Sequence, residues 1–260
     1  MAKIRFNNTQ LTRSVGTASI DYFTGTSNPV YTTATLSKTL DNPNPYGTSA
    51  NDRFSYSVSI SGNYAIVGAL NEDDASGTNS GKAYIFDVTT GNLLHTLDNP
   101  NPYGISVNDR FGRSVSISGN YAIVGAYTED DASGTDSGKA YIFDVTTGNL
   151  VHQLNNPNPV GSSADDAFGV SVSISGNYAI VGAYLEDDAS GNDSGKAYIF
   201  DVTTGNLVAT LDNPNTFSTS LNDYFSNSVS ISGKYAIVSA WREDDTGGAD
   251  SGKAYIYELS

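Results

Sequence analysis

The 260-residue chain has no cysteine, one methionine, one tryptophan and only two histidines. Without cysteine neither disulfides nor thiol chemistry can hold or operate this protein. Basic residues are also scarce: 13 Lys and Arg stand against 28 Asp and Glu, a net charge of −15. That balance repels nucleic acid and anionic membrane surfaces. No apolar run reaches the length of a membrane-spanning helix, and the opening string from Met1 to Asn8 lacks the apolar core of a secretory signal. Sustained helical periodicity is missing too, and 26 glycines with frequent Asn, Ser and Asp supply turns instead.

What is present is repetition. A 57-residue unit spans Leu40 to Thr96, recurs from Leu97 to Gln153 and from Leu154 to Thr210, and returns cut short from Leu211 to Ser260. The second and third copies differ at 11 of 57 positions, and even the loop strings Asp-Asn-Pro-Asn-Pro and Glu-Asp-Asp-Ala-Ser-Gly largely persist. Recent duplication, or selection on the loops themselves, explains such persistence.

Each unit reads as four strands. In the second copy Phe111, Arg113, Val115 and Ile117 alternate with small residues up to Ser118, forming strand a. Tyr121 to Ala126 is a continuous apolar run, expected of a strand b buried on both faces. Lys139 to Val145 and Leu150 to Leu154 supply strands c and d around a Thr-Thr-Gly-Asn turn. One meander cannot cover both its faces, so the units must pack radially, which predicts an all-β, four-bladed β-propeller. A linear solenoid fits less well, because its repeats are shorter. The predicted blades are residues 40–96, 97–153, 154–210 and 211–260. The last copy ends after strand c, while residues 31–40 stand one period before 88–97, so residues 31–39 are expected to supply the missing strand and close the ring. The same complementarity also works between two chains as a swap; internal closure is the simpler expectation.

The strings Asp109-Arg110-Phe111-Gly112, Ile123-Val124-Gly125-Ala126 and Ser137-Gly138-Lys139-Ala140-Tyr141 resemble the FG-GAP repeat of integrin alpha-subunit propellers and bacterial surface proteins. The resemblance covers residues 31–260. It departs at Phe54-Ser55 and Phe225-Ser226, and the motif's final proline is replaced by Leu70, Tyr127, Tyr184 or Trp241. Between strands a and b, where calcium-binding members carry Asp-x-Asn-x-Asp-Gly, this chain has Ser-Gly-Asn or Ser-Gly-Lys, so the family's calcium site does not carry over.

Acidic residues gather instead between strands b and c: Glu72, Asp73 and Asp74; Glu129, Asp130, Asp131 and Asp136; Glu186, Asp187, Asp188 and Asp193; Glu243, Asp244, Asp245 and Asp250. Equivalent loops lie on one rim, so an acidic ring is expected, and clustered carboxylates suit a hard cation such as calcium. The competing expectation is a solvated loop capped by its own Asp turns.

Catalysis finds little support. His95 and His152 share one repeat position that is Ala209 and Lys38 in the other copies, and no Ser, His and acid grouping stands apart from the repeat. Tyr46, Tyr103, Tyr127, Tyr184 and Trp241 fall in or beside loops and offer rigid contact area for a protein or glycan partner. The expected function is thus a non-catalytic interaction or structural module at the surface of a virus particle, filament or cell. The alternative is a cation-dependent carbohydrate-binding propeller. Residues 1–30 lie outside the repeat. They combine Ile4, Phe6, Leu11, Val15, Ile20, Tyr22 and Phe23 with Lys3, Arg5 and Arg13, a composition expected of a docking arm that serves oligomerisation or a larger assembly.

Overall fold

The computed structural model describes residues 33–44, 50–75, 77–100, 107–131, 134–157, 164–187, 192–215 and 221–260. The arm at residues 1–30, Tyr46, Tyr103 and Asp188 lie outside them. The described elements are all β. The first blade is β1 (Phe54–Ser61), β2 (Tyr64–Ala69), β3 (Lys82–Asp87) and β4 (Leu93–Asp98). The second is β5 (Ser114–Ser118), β6 (Tyr121–Ala126), β7 (Lys139–Asp144) and β8 (Leu150–Asn155), and the third is β9 (Ser171–Ser175), β10 (Tyr178–Ala183), β11 (Lys196–Asp201) and β12 (Leu207–Asp212). The fourth holds β13 (Phe225–Ser232), β14 (Tyr235–Ala240) and β15 (Lys253–Glu258). Each sheet is an antiparallel meander in chain order, and the four repeats form a four-bladed β-propeller.

The strand pattern follows from the residues. Tyr121–Ala126 pairs at both edges, with β5 and with β7, and buries Ala122, Val124 and Ala126 on one face against blade 1 and Ile123 on the other against blade 3, so an unbroken apolar run is stable there. Strand a starts only at Ser114 and Ser171 in the middle blades, past Arg110 and Gly112 with φ of 56° and 87°, whereas β1 and β13 start at Phe54 and Phe225 and carry the same positive φ, at Ser55 and Ser226, as a register irregularity. Phe111 instead forms an isolated parallel bridge to Gly81 of the preceding blade. The turn after β7 is fixed by Asp144, whose Oδ1 accepts from the N–H groups of Thr146 at 2.8 Å and Thr147 at 2.9 Å.

The core lies between blades. Ile66, Ala83, Ile85 and Leu97 of blade 1 bury against Phe111, Val115, Val124 and Tyr141 of blade 2, and the equivalent residues repeat this at the next two joints. At the inner edge backbones touch: a Cβ on Gly125 would sit 2.0 Å from the carbonyl oxygen of Gly169. The recurring Phe-Gly and Gly-Ala pairs are thus the two sides of one blade-to-blade contact.

The expected closing strand, residues 31–39, lies partly outside the described residues. The fourth sheet has three strands, and residues 33–40 carry no strand. Strands β5, β9 and β13 each pack on the first strand of the preceding blade, but no comparable packing joins β13 to β1.

Candidate functional site

The four acidic loops are built alike, with the glutamates inside. Glu72, Glu129, Glu186 and Glu243 are fully buried. The backbone carbonyl of Glu129 accepts from Gly138 N–H at 2.9 Å and Ser137 Oγ at 3.3 Å, pinching the loop shut at its base. Its Oε1 accepts from the Tyr141 hydroxyl at 2.6 Å, as Glu186 does from Tyr198 at 2.6 Å and Glu72 from Tyr84. Lys139 Nζ lies 3.3 Å from the Glu129 carboxylate, and Lys253 Nζ lies 2.6 Å from that of Glu243. Burial pushes the carboxyl of Glu72 up to about 7 and that of Glu186 up to about 8, and it raises Glu129 as well, against the pull of Lys139.

The aspartates close the outer half of each loop. Oδ1 of Asp73, Asp130, Asp187 and Asp244 accepts from the backbone N–H of Asn79, Asp136, Asp193 and Asp250 respectively, at 2.8 to 2.9 Å. Asp74, Asp131 and Asp245 accept from Gly77, Gly134 and Gly247. Asp136 and Asp193 are pushed up, first by burial and then by the neighbouring Asp130 and Asp187. Among the described residues no group of three or more acidic or histidine side chains is placed to hold a metal ion. A further lock was missed from sequence: Asp52, Asp109, Asp166 and Asp223 are buried and accept from Asn side chains ten residues earlier, as Asn99 Nδ2 does to Asp109 at 2.8 Å. The persistent Asp-Asn-Pro-Asn-Pro string was its signal. The histidines tie blades together, with Nε2 of His95 and His152 at 3.3 and 3.1 Å from the carbonyls of Thr146 and Thr203 in the next blade.

Several positions that vary between copies lie elsewhere. The repeat position of Arg110 reads Arg53, Arg110, Ala167 and Tyr224; that of Arg113 reads Tyr56, Arg113, Val170 and Asn227; that of Tyr127 reads Leu70, Tyr127, Tyr184 and Trp241. The fold brings these together. The Arg113 guanidinium lies 4.8 Å from the ring centroid of Tyr56 and 5.7 Å from that of Tyr127. Arg110 Nη1 donates to the Tyr127 hydroxyl at 2.5 Å. Tyr184 meets Tyr224 edge-on at 5.6 Å, Tyr224 stacks on Trp241 at 5.9 Å, and Arg242 lies 5.2 and 5.6 Å from those two rings. The result is two runs of aromatic and guanidinium groups, half-exposed for the most part, with Trp241 52% exposed. Sequence reading found Tyr127, Tyr184 and Trp241 but missed Tyr56, Arg110, Arg113, Tyr224 and Arg242, which vary between copies along with several other positions.

The FG-GAP repeat profile matches residues 45–86, 103–143, 159–200 and 219–257. The chain belongs to the FG-GAP repeat family. No curated protein matches it. Among solved structures, the computationally designed Ika4 protein aligns with a TM-score of 0.51 at 15% identity, over 88% of this chain and all of that one, a likeness of fold alone. The designed Ika8 protein (TM-score 0.48, 16% identity, 79% of this chain, 46% of that one) and the RRP9 WD40 repeats (0.46, 12%, 73% and 45%) are more distant. As an FG-GAP repeat propeller the chain has the architecture of a protein-interaction module.

Proposed function

We propose that this FG-GAP propeller is a non-catalytic interaction module that binds a protein partner through the aromatic and arginine residues Tyr56, Arg110, Arg113, Tyr127, Tyr184, Tyr224, Trp241 and Arg242. The observation that carries the reading is their clustering: the fold gathers aromatic and guanidinium side chains from different blades into two contiguous runs. Tyr, Trp and Arg dominate protein-binding hot spots because they combine large contact area with hydrogen bonding. Here they also place positive charge on a protein of net charge −15, so an acidic, aromatic-bearing segment is the chemistry they suit. Assembly or decoration at the surface of a particle, filament or cell is the setting we propose for such a module, on its repeats and its composition.

Selection of displayed peptides on the immobilised protein should converge on acidic sequences containing aromatics. Their binding should fall at least tenfold on Tyr184→Ala or Trp241→Ala, whereas peptides that bind these variants unchanged would refute the site.

The second reading, a carbohydrate binder, draws on the same Tyr and Trp faces, which also suit sugar rings. Its cation-dependent form makes a different prediction. Since the loop aspartates already accept backbone N–H groups, we expect the same melting temperature in millimolar calcium and in chelator. A rise with calcium, together with glycan binding that chelator abolishes, would favour the carbohydrate reading instead.

A further inference from the structure

Each joint between blades pairs a trailing face with a leading face. Three joints use three of each, which leaves the leading face of blade 1 and the trailing face of blade 4, and both are open. Val58 and Ile60 are 63% and 65% exposed, where Val115 and Ile117 are 6% and 5%. Ile237 and Ile256 are 44% and 74% exposed, where their equivalents Ile123 and Ile142 are fully buried. Leaving such residues in water forgoes the burial that stabilises every other joint.

We propose that two copies of this chain join head to tail, the trailing face of blade 4 on the leading face of blade 1, twice about a twofold axis, forming one eight-bladed ring. Three features within the chain match across that joint. The first is apolar: the exposed isoleucines of one end correspond to residues that, at the internal joints, bury against the equivalents of Val58 and Ile60.

The second is a ladder of hydroxyls. Ile117 N–H donates to Ser59 Oγ and Gly119 N–H to Ser61 Oγ, each at 3.2 Å and 58 residues apart, and the same offset recurs at the other two joints. Carried past the chain ends, it sets the exposed Ser230 and Ser232 against the N–H groups of Ile60 and Gly62 of the second copy.

The third is the outer edge of blade 4, beside β15, which no strand covers among the described residues. Leu40 packs on Val67, Ala69, Tyr84 and Phe86 of blade 1, the position that Leu97 holds on blade 2. Residues 38–41 are thus already placed as the tail of a blade ahead of blade 1. Carrying over the pairing of β3 with β4 sets Lys38 opposite Ile256 and Leu40 opposite Ala254 of the second copy. It also sets Asp41 against Lys253, as Asp98 pairs with Lys82 and Asp212 with Lys196. A cleft of about 440 Å³ between β12 and the end of β15, lined by Val208, Leu211, Tyr257 and Leu259, borders the place this strand would take.

The count follows from geometry. Head-to-tail contacts make a ring when the rotation closes, and propellers close with about four to eight blades. The first strands of blades 1 and 4 lack between them the packing that joins the other blades, so two copies would supply eight. At its inner edge the new joint departs from the others: Ser239 stands where Gly68, Gly125 and Gly182 touch the next backbone, and its hydroxyl bonds with Ser228. The joint between copies is looser there, and Ser239→Gly is expected to tighten it.

Sedimentation of the full chain should give the mass of two 27.4 kDa chains. Ile60→Asp and Ile256→Asp lie on exposed faces, so each should give folded single chains with unchanged circular dichroism. Mixing the two variants should restore a one-to-one pair, because each retains the face the other has lost. In this cysteine-free protein, Lys38→Cys with Ile256→Cys should oxidise to covalently linked pairs. A monomeric wild type, an open polymer, failure of the mixed variants to pair, or a disulfide within one chain would each overturn the proposal.

Discussion

Replacing Gly125 by alanine lowers the melting temperature by about 10 °C, although the change adds a single methyl group to a strand. Gly125 has an ordinary strand conformation, so the cost is contact and not strain. The new Cβ would sit 2.0 Å from the carbonyl oxygen of Gly169 and 2.5 Å from Ser114 Oγ. Neither backbone can yield without parting β6 from blade 3, where Ile123 and Ile142 bury against Val172 and Ile174. Overpacking of this kind costs about 3 kcal/mol or more, and in a domain of this size each kcal/mol moves the midpoint by roughly 2–4 °C. Gly119→Ala is the control. Its φ is +58° but nothing lies within 4 Å, so it should cost only about 1 kcal/mol. Equal melting temperatures for the two variants, read by circular dichroism, would contradict the blade-joint account.

Raising the pH from 5 to 9 destabilises the protein, the reverse of what most carboxylate-rich domains do. Glu72 and Glu186 titrate near 7 and 8 when folded and near 4.5 when unfolded, because burial disfavours the charged form. The folded state therefore holds more protons through this window, and stability falls as pH rises from about 4.5 to 8. Displacements of this size correspond to about 3 kcal/mol for Glu72 and about 5 kcal/mol for Glu186. On the acid side, Asp87, Asp144 and Asp201 are held below the ordinary aspartate range by threonine hydroxyls and N–H groups, so stability is also lost as pH drops below about 4. Maximum stability is expected near pH 4.5 to 5. Glu186→Gln keeps an acceptor for Tyr198 and should flatten the fall above pH 5. A melting temperature constant from pH 5 to 9 would contradict the buried-glutamate account.

The blade architecture was legible because the period of 57 and the alternation in each strand carry the packing directly. The apolar run Tyr121–Ala126 announced a strand covered on both faces, and it is one. The start of strand a was not legible, since Phe111 and Gly112 leave the ladder to reach the preceding blade, and alternation alone does not show positive φ. The acidic loops show a different limit. Composition reveals fifteen carboxyls in register, but not that the glutamates point inward to tyrosines while aspartates turn back on their own loops. Both roles depend on where the loop folds, which strand pattern does not encode. How the first and last blades are completed was less legible, because the angle between blades, which sets how their outer faces are covered, is not written in strand alternation. Residues such as Arg113 and Tyr56, a whole repeat apart, become neighbours only when blades stack.

Trp241 is the chain's one tryptophan and stands in the proposed binding site, stacked on Tyr224. Its emission therefore reports on that site alone. Titrating the protein with a selected acidic peptide should shift this emission in a saturable way, with the same midpoint that calorimetry gives. Arg113→Ala, remote from the indole, should weaken the midpoint, and Arg242→Ala should abolish the shift. A peptide that binds by calorimetry yet leaves Trp241 emission unchanged would contradict the central claim, that this propeller recognises partners through its clustered aromatic and guanidinium side chains.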